Sequence, residues 1–175
     1  MRVIGGVARG RPLKAKLPST VRPTTDYARE AIFSMLESRG GLRGLVVADL
    51  YCGSGAMGIE AMSRGADEVY FVDVDAACLS AARANFESLK LAGRAHFVRA
   101  TLPGWLPPTA VDLVVADPPY GPFSAESLLR GLVARRAVIE NDRYAEAPDG
   151  WSVTKTKRYG TTLVTMLERV EDEAA

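Results

Sequence analysis

The sequence predicts an α/β protein built on a doubly wound, mostly parallel sheet, with an antiparallel hairpin at the C-terminal end and a basic hairpin extension at the N-terminal end. Two observations lead there. Short apolar runs of strand length alternate with stretches of helical periodicity, the pattern of β-α-β units. The three segments that carry chemistry each fall at the carboxyl end of a predicted strand, where open α/β sheets bind their ligands. The chain has 175 residues, room for one domain. The division expected is a basic arm over 1–23, the α/β domain over 24–170 and an acidic tail over 171–175.

The elements follow in order. Val3 and Ile4, then Pro12 and Leu13, flank a glycine-rich turn, so residues 2–17 read as a small hairpin. Pro18 to Pro23 is a loop. Thr24, Thr25 and Asp26 supply cap chemistry to an amphipathic helix with apolar positions Ala28, Ile32, Met35 and Leu36, ended by Arg39-Gly40-Gly41. Leu45 to Leu50 is a first strand, followed by a glycine-rich turn and a helix through Ile59 and Met62 to Gly65. Val69 to Asp73 is a second strand, and Asp75 to Leu91 a long helix with Asp75 placed as its N-cap. Ala95 to Val98 and Val111 to Ala116 are strands three and four. Ser124 to Val133 reads as a helix and Ala137 to Glu140 as a fifth strand. Residues 141–150 form a loop, and Trp151 to Thr156 with Thr161 to Leu167 form a closing hairpin around Tyr159-Gly160.

Composition narrows the class. Hydrophobic residues make up 47% and charged residues 25%, ordinary for a soluble globular protein. The only cysteines, Cys52 and Cys78, argue against a disulfide scaffold and for a reducing, cytoplasmic location. With one histidine, His96, read as an ordinary strand residue, no metal site is expected. Neither a membrane span nor the apolar core of a signal peptide is found. Net charge is +1 but unevenly spread. Residues 1–43 hold nine Arg/Lys and three acids, +6, against −5 for the remainder. A basic arm on an acidic body suggests a polyanionic partner at one end. A solvated surface with chance clustering is the plainer alternative.

The first segment with chemistry runs from Asp49 to Gly58 and contains Gly53-Ser54-Gly55 between a strand and a helix. Such glycines let backbone approach a ligand closely. The pattern also fits a dinucleotide fingerprint, but Asp49 would sit awkwardly beside a pyrophosphate. A cationic ligand such as S-adenosylmethionine favours a carboxylate there. The second is Asp73, 20 residues after Gly53, the spacing at which an acid holds adenosine ribose hydroxyls. The third is Asp117-Pro118-Pro119-Tyr120. Its prolines fix the backbone and remove two amide donors, leaving an acid, free carbonyls and an aromatic ring at one strand end. That pocket suits a planar group bearing an amine. Cys52 reads as small and buried, not as a nucleophile.

These segments resemble class I S-adenosylmethionine-dependent methyltransferases, Rossmann-like enzymes, and specifically those with an (Asp/Asn/Ser)-Pro-Pro-(Tyr/Phe) motif that methylate amino groups. Arg2 to Gly6 with Arg9-Gly10-Arg11, then Arg22-Pro23-Thr24-Thr25-Asp26 with Glu30-Ala31-Ile32-Phe33, resemble the N-terminal signature of the RsmD family. Ser63-Arg64-Gly65-Ala66 and Tyr159-Gly160-Thr161 fit as well, so the likeness covers about residues 2–168. The resemblance implies transfer of a methyl group from S-adenosylmethionine, leaving S-adenosylhomocysteine, to the exocyclic N2 of a guanine in small-subunit (16S) ribosomal RNA. It implies a monomer acting on ribosomal RNA or the small ribosomal subunit, with no metal and no membrane. It assigns Asp117, Pro118, Pro119 and Tyr120 to catalysis. The cofactor falls to Thr24, Asp49, Tyr51, Gly53, Ser54, Gly55, Asp73, Val74, Thr101 and Asp117. Arg9, Arg11, Lys14 and Arg22 are assigned to RNA phosphates, with Lys155, Lys157 and Arg158 extending that surface if the closing hairpin returns beside the arm. One departure stands out. Relatives often carry an Asp-Ala or Asn-Ala pair after strand three for the adenine amine, whereas here Arg99-Ala100-Thr101-Leu102 leaves that contact to Thr101 or backbone.

Three other activities share parts of this pattern. A DNA adenine methyltransferase shares the catalytic motif but needs a recognition segment for which 175 residues leave little room. A protein glutamine methyltransferase prefers Asn in the motif and has no use for the basic arm. A binding module without turnover has no use for Asp117-Pro118-Pro119-Tyr120.

Overall fold

Val46–Leu50 forms β1, buried at every position after the first, as a strand covered on both faces must be. Around it the computed structural model, which describes residues 1–15, 26–119 and 121–170, lays out the alternation expected. α1 is Asp26–Glu37, α2 Ala56–Ser63, β2 Glu68–Asp73, α3 Ala76–Leu89, β3 Arg94–Arg99 and β4 Val111–Ala116. α4 is Ala125–Leu129, β5 Ala134–Asn141, β6 Trp151–Tyr159 and β7 Thr162–Arg169. One seven-stranded sheet has the order β3-β2-β1-β4-β5-β7-β6. β1 to β5 are parallel, while β7 runs antiparallel between β5 and β6. The chain starts at β1, winds outward to β3, then crosses back to β4. The switch in strand order therefore lies between β1 and β4.

Two apolar layers cover the sheet. One joins Ile32, Phe33 and Leu36 of α1 and Ile59 of α2 to Val47, Phe71, Leu113 and Met166 of the strands. The other packs Leu128 and Leu129 of α4 with Leu132 and Trp151 against Leu50, Val72, Val114 and Ile139. Asp75 caps α3 as expected, its Oδ1 accepting the Ala77 amide at 2.8 Å.

Three elements differ from expectation. β6 continues past Thr156 to Tyr159, because Arg158 and Tyr159 pair with Leu163 and Thr162 and shorten the turn. α4 stops at Leu129 instead of reaching Val133, because Arg130 turns extended and Gly131 takes a left-handed conformation at φ 75°. That frees the chain to enter β5 early, where Ala134 pairs with Val111. The N-terminal arm has a single antiparallel bridge, Arg2 to Pro12, around a 3-10 turn at Gly6–Ala8. Residues 16 and 17 of the expected hairpin, the loop expected over 18–23, the cap residues Thr24 and Thr25 and the acidic tail over 171–175 lie outside the described residues.

Side chains of the body hold the arm in place of a longer ladder. Glu60, buried in α2, accepts the amides of Ile4 at 2.8 Å and Gly5 at 2.7 Å. Ser63 accepts the Ala8 amide and donates to the Gly5 carbonyl. Arg29, fully buried in α1, donates to the Arg2 carbonyl and to Asp26.

Candidate active site

The three acidic positions meet at the carboxyl edge, on and beside the switch point. Asp49 lies in β1, 2% exposed, and its Oδ2 accepts the Gly58 amide at 2.8 Å. Burial holds its carboxyl well above the ordinary range, only partly offset by that amide, and the charges of Asp117 and Asp73 add to the rise. Three carboxylates gathered with one of them buried are mutually repelling, and a cation placed among them relieves this. The residues present therefore fit a ligand carrying ammonium and sulfonium charge better than one carrying a pyrophosphate.

The turn after β1 is built for close approach. Tyr51 takes a left-handed backbone at φ 60°, a strain of about 1–3 kcal/mol for a residue with a side chain. Gly55 follows at φ 76°, and a methyl group there would meet the Ala82 Cβ at 2.9 Å. A methyl group on Gly58 would overlap the Phe71 ring, so α2 lies directly on the sheet. Asp73 closes the turn from β2: its Oδ2 accepts the Gly53 amide at 3.0 Å and its Oδ1 the Asp75 amide at 2.9 Å. A carboxylate offers about four lone-pair positions, so it keeps acceptor capacity for hydroxyl groups. Asn85 of α3 was not singled out from the sequence. It is buried, donates to the Ser54 carbonyl at 3.1 Å and accepts the Ala15 amide at 2.9 Å, joining turn to arm. Its one signal is an amide in an alanine-rich helix. Ser54 Oγ lies 3.8 Å from the Met1 sulfur, so the start of the chain also touches the turn.

Asp117 follows β4, its amide directed at the Leu50 carbonyl across the switch at 3.4 Å. It is half-buried, Pro118 is buried and Pro119 exposed. Tyr120, Thr24 and Arg22 lie outside the described residues. Val74 and Thr101 are both exposed at the ends of β2 and β3, on the same edge. A cavity of about 390 Å³ opens beside Tyr51, lined by Pro103, Phe123, Ser124, Ser127 and Arg143. Phe123 and Arg143 escaped the sequence reading, because they fall in loops with no periodicity. Cys52 is buried beside Asp49, and burial pushes its thiol up, away from nucleophilic character. His96 pairs with Glu68 at 2.7 Å and stacks on Tyr70, a strand contact far from the turn in role.

The basic residues of the arm divide. Arg9 and Lys14 are exposed. Arg11 is directed at the end of α3, donating to the carbonyls of Leu89 at 2.6 Å and Ser88 at 2.9 Å. It thereby answers carbonyls that a helix C-terminus leaves open.

Comparison with known proteins places the chain in a family and agrees with its fold. The family model described as "Conserved hypothetical protein 95" matches residues 1–168. The Bacillus subtilis protein YlbH is 34% identical, over 97% of this chain and 99% of its own length. Ribosomal RNA small subunit methyltransferase D of Escherichia coli K12 is 31% identical over 97% of this chain and 90% of its own. The solved structure of the Escherichia coli protein yhhF superposes with a TM-score of 0.78 at 29% identity, covering 97% of each chain. Matched by the family model over residues 1–168 and by these relatives over nearly its whole length, the chain belongs to the RsmD family of ribosomal RNA methyltransferases, built on the class I methyltransferase fold.

Proposed function

We propose that the chain methylates the exocyclic N2 amine of a guanine in small-subunit (16S) ribosomal RNA, using S-adenosylmethionine and no metal. The observation that carries this is the position of Asp117: an acid in front of two prolines, across the switch point from the strained Tyr51 turn. Asp49, Tyr51, Gly53, Ser54, Gly55, Asp73, Val74 and Thr101 would hold the cofactor, with Thr24 from the segment before α1. When bound it supplies a methyl group activated by the sulfonium. Asp73 would accept from ribose hydroxyls, and the glycine turn would admit the aminoacyl part. Asp49 would balance positive charge in a site that excludes water.

The guanine amine is a poor nucleophile because its lone pair is delocalised into the ring. Asp117 and the Pro118 carbonyl would accept its hydrogens, turning the lone pair out of conjugation. Pro118 and Pro119 keep those acceptors in place, and Tyr120 would stack on the ring. On methylation the amine would lose one proton, for which the Asp117 carboxylate is the acceptor at hand, and holding the amine in line with the methyl group would carry much of the rate. The target base must be unstacked or single-stranded to enter.

The test is incubation of wild type and Asp117→Ala with labelled S-adenosylmethionine and unmodified small subunits, followed by nucleoside analysis. Label in N2-methylguanine, reduced at least ~100-fold in the variant, is expected of a positioned electrostatic group. Label in another nucleoside, in protein or only in DNA would overturn the substrate assignment.

A further inference from the structure

Methyl transfer at Asp117 makes no use of Tyr159, although Tyr159-Gly160-Thr161 is one of the segments that carry the family resemblance. Strand register places it. Ala116 pairs with Ile139, Ile139 with Thr165 and Thr165 with Thr156. Lys157 is thus level with Asp117, three strands away, or ~14 Å at the usual strand spacing. Tyr159 stands two residues further on, at the carboxyl edge that holds the active site. Opposite it is Tyr27 in the first turn of α1, 69% exposed, with ring centroids 5.6 Å apart and planes at 78°. An edge-on pair holds both rings without covering all their faces. The Lys157 ammonium lies 5.3 Å from the Tyr159 ring centroid. On its other side Tyr27 lines a cleft of about 330 Å³ between arm and α1, together with Arg2, Arg9 and Glu30. α1 therefore joins the arm to the closing hairpin.

We propose that Tyr27 and Tyr159 form a second stacking site, which holds an unpaired RNA base near the target nucleotide, with Lys157 and Arg9 facing the adjoining phosphates. The inference rests on ribosomal RNA being the substrate and adds Tyr27 and Tyr159, to which the family resemblance assigns no role. Charge selects the occupant. Arg2 and Arg9 line the cleft with Tyr27 and Lys157 lies beside Tyr159, all three exposed, while Asp26 is engaged by Arg29, leaving Glu30 as the other acid of the cleft. Tyr27 is exposed and Tyr159 half-buried against the core, and accessible aromatic faces beside cations are the means by which proteins hold single-stranded nucleic acid without reading its sequence. A second anchor also resists restacking of a base drawn from its neighbours.

The experiment uses the full chain and unmodified small subunits, with steady-state methylation and cofactor titration in parallel. Tyr27→Ala should raise the KM for subunits by ~5–150-fold, the range for one stacked base, with kcat and cofactor affinity held. Tyr27→Phe should recover most of that loss, because stacking needs the ring and not the hydroxyl. Lys157→Gln, at an exposed strand position, should flatten the salt dependence of binding by about 0.7 log units. An unchanged KM in Tyr27→Ala, or a loss confined to kcat, overturns the stacking site. So does a salt slope in Lys157→Gln equal to wild type. If wild type itself methylates no ribosomal RNA, the substrate assignment fails instead, whatever Tyr27 does.

Discussion

Asp73 reaches from the end of β2 to Gly53 and accepts its amide at 3.0 Å, so the acid expected to hold a ribose also holds the turn beneath it. Removing it acts twice. Asp73→Ala should lose charge-assisted hydrogen bonds of roughly 1.5–3 kcal/mol, a 10–150-fold drop in S-adenosylmethionine affinity. Asp73→Asn keeps an acceptor for Gly53 and should fall between the two. Titration calorimetry on the three proteins checks this, and equal affinities would remove Asp73 from the cofactor site.

Asp49 pits stability against function. Burial raises its carboxyl well above the ordinary range in the fold. Its contribution is then fully present below the unfolded value near 3.9 and is lost as pH rises towards the raised folded value. Asp49→Asn keeps the acceptor for Gly58 and carries no charge. The cofactor-free variant should melt above wild type at pH 7, with the gap closing as pH falls towards 4. Its affinity for S-adenosylmethionine should drop by about 10–150-fold, the loss of one charged contact. A variant that melts lower at pH 7 would show that the charge is stabilised in the empty site.

Most of the fold was legible because its signals are local. β1, β2 and β4 are continuous apolar runs, and Asp75 is a cap in sequence and in structure. Asp49, Asp73 and Asp117 could be found from strand ends alone, since parallel strands deliver those ends to one edge. What escaped depends on contacts distant in sequence. Asn85 matters because α3 passes the glycine turn, and Arg11 because the arm meets the end of α3. Neither pairing leaves a periodic trace. The sequence extends α4 too far because Leu132 keeps helical spacing with Leu128 and Leu129 although the helix ends at Leu129.

Glu60 is the post to which the arm is tied. It meets two arm amides, Arg64 Nε at 2.8 Å and Arg29 Nε at 3.9 Å, in a site 1% exposed. Glu60→Ala removes the acceptor of two arm amides and the buried carboxylate facing Arg29 and Arg64, leaving Asp26 as the one carboxylate on Arg29, a loss of about 3–5 kcal/mol. At about 2–4 °C per kcal/mol for a domain of this size, melting should fall by roughly 6–20 °C. Trypsin should cut after Arg9 and Lys14 well below that temperature in the variant and not in wild type, the Arg11-Pro12 bond being resistant in both. A melting temperature within 2 °C of wild type, on the order of 1 kcal/mol or less, would mean the arm is held by other contacts.

The arm offers a clean separation of structural from RNA-binding cations. Arg11 gives its guanidinium to the Leu89 and Ser88 carbonyls, while Arg9 and Lys14 are exposed on the same arm. Arg11→Ala should therefore lower stability by about 1 kcal/mol, the usual net worth of such hydrogen bonds at a surface. Arg9→Glu with Lys14→Glu should leave melting unchanged and weaken RNA binding across all sequences. Each lost phosphate contact should flatten the salt dependence by about 0.7–0.9 log units. Cofactor affinity should hold in both proteins, since neither change touches the glycine turn. Binding of a ribosomal RNA fragment, followed across salt concentrations and alongside thermal melts, separates the two roles. If Arg11→Ala flattened the salt slope while Arg9→Glu/Lys14→Glu did not, the RNA would approach over α3 instead of along the outer face of the arm.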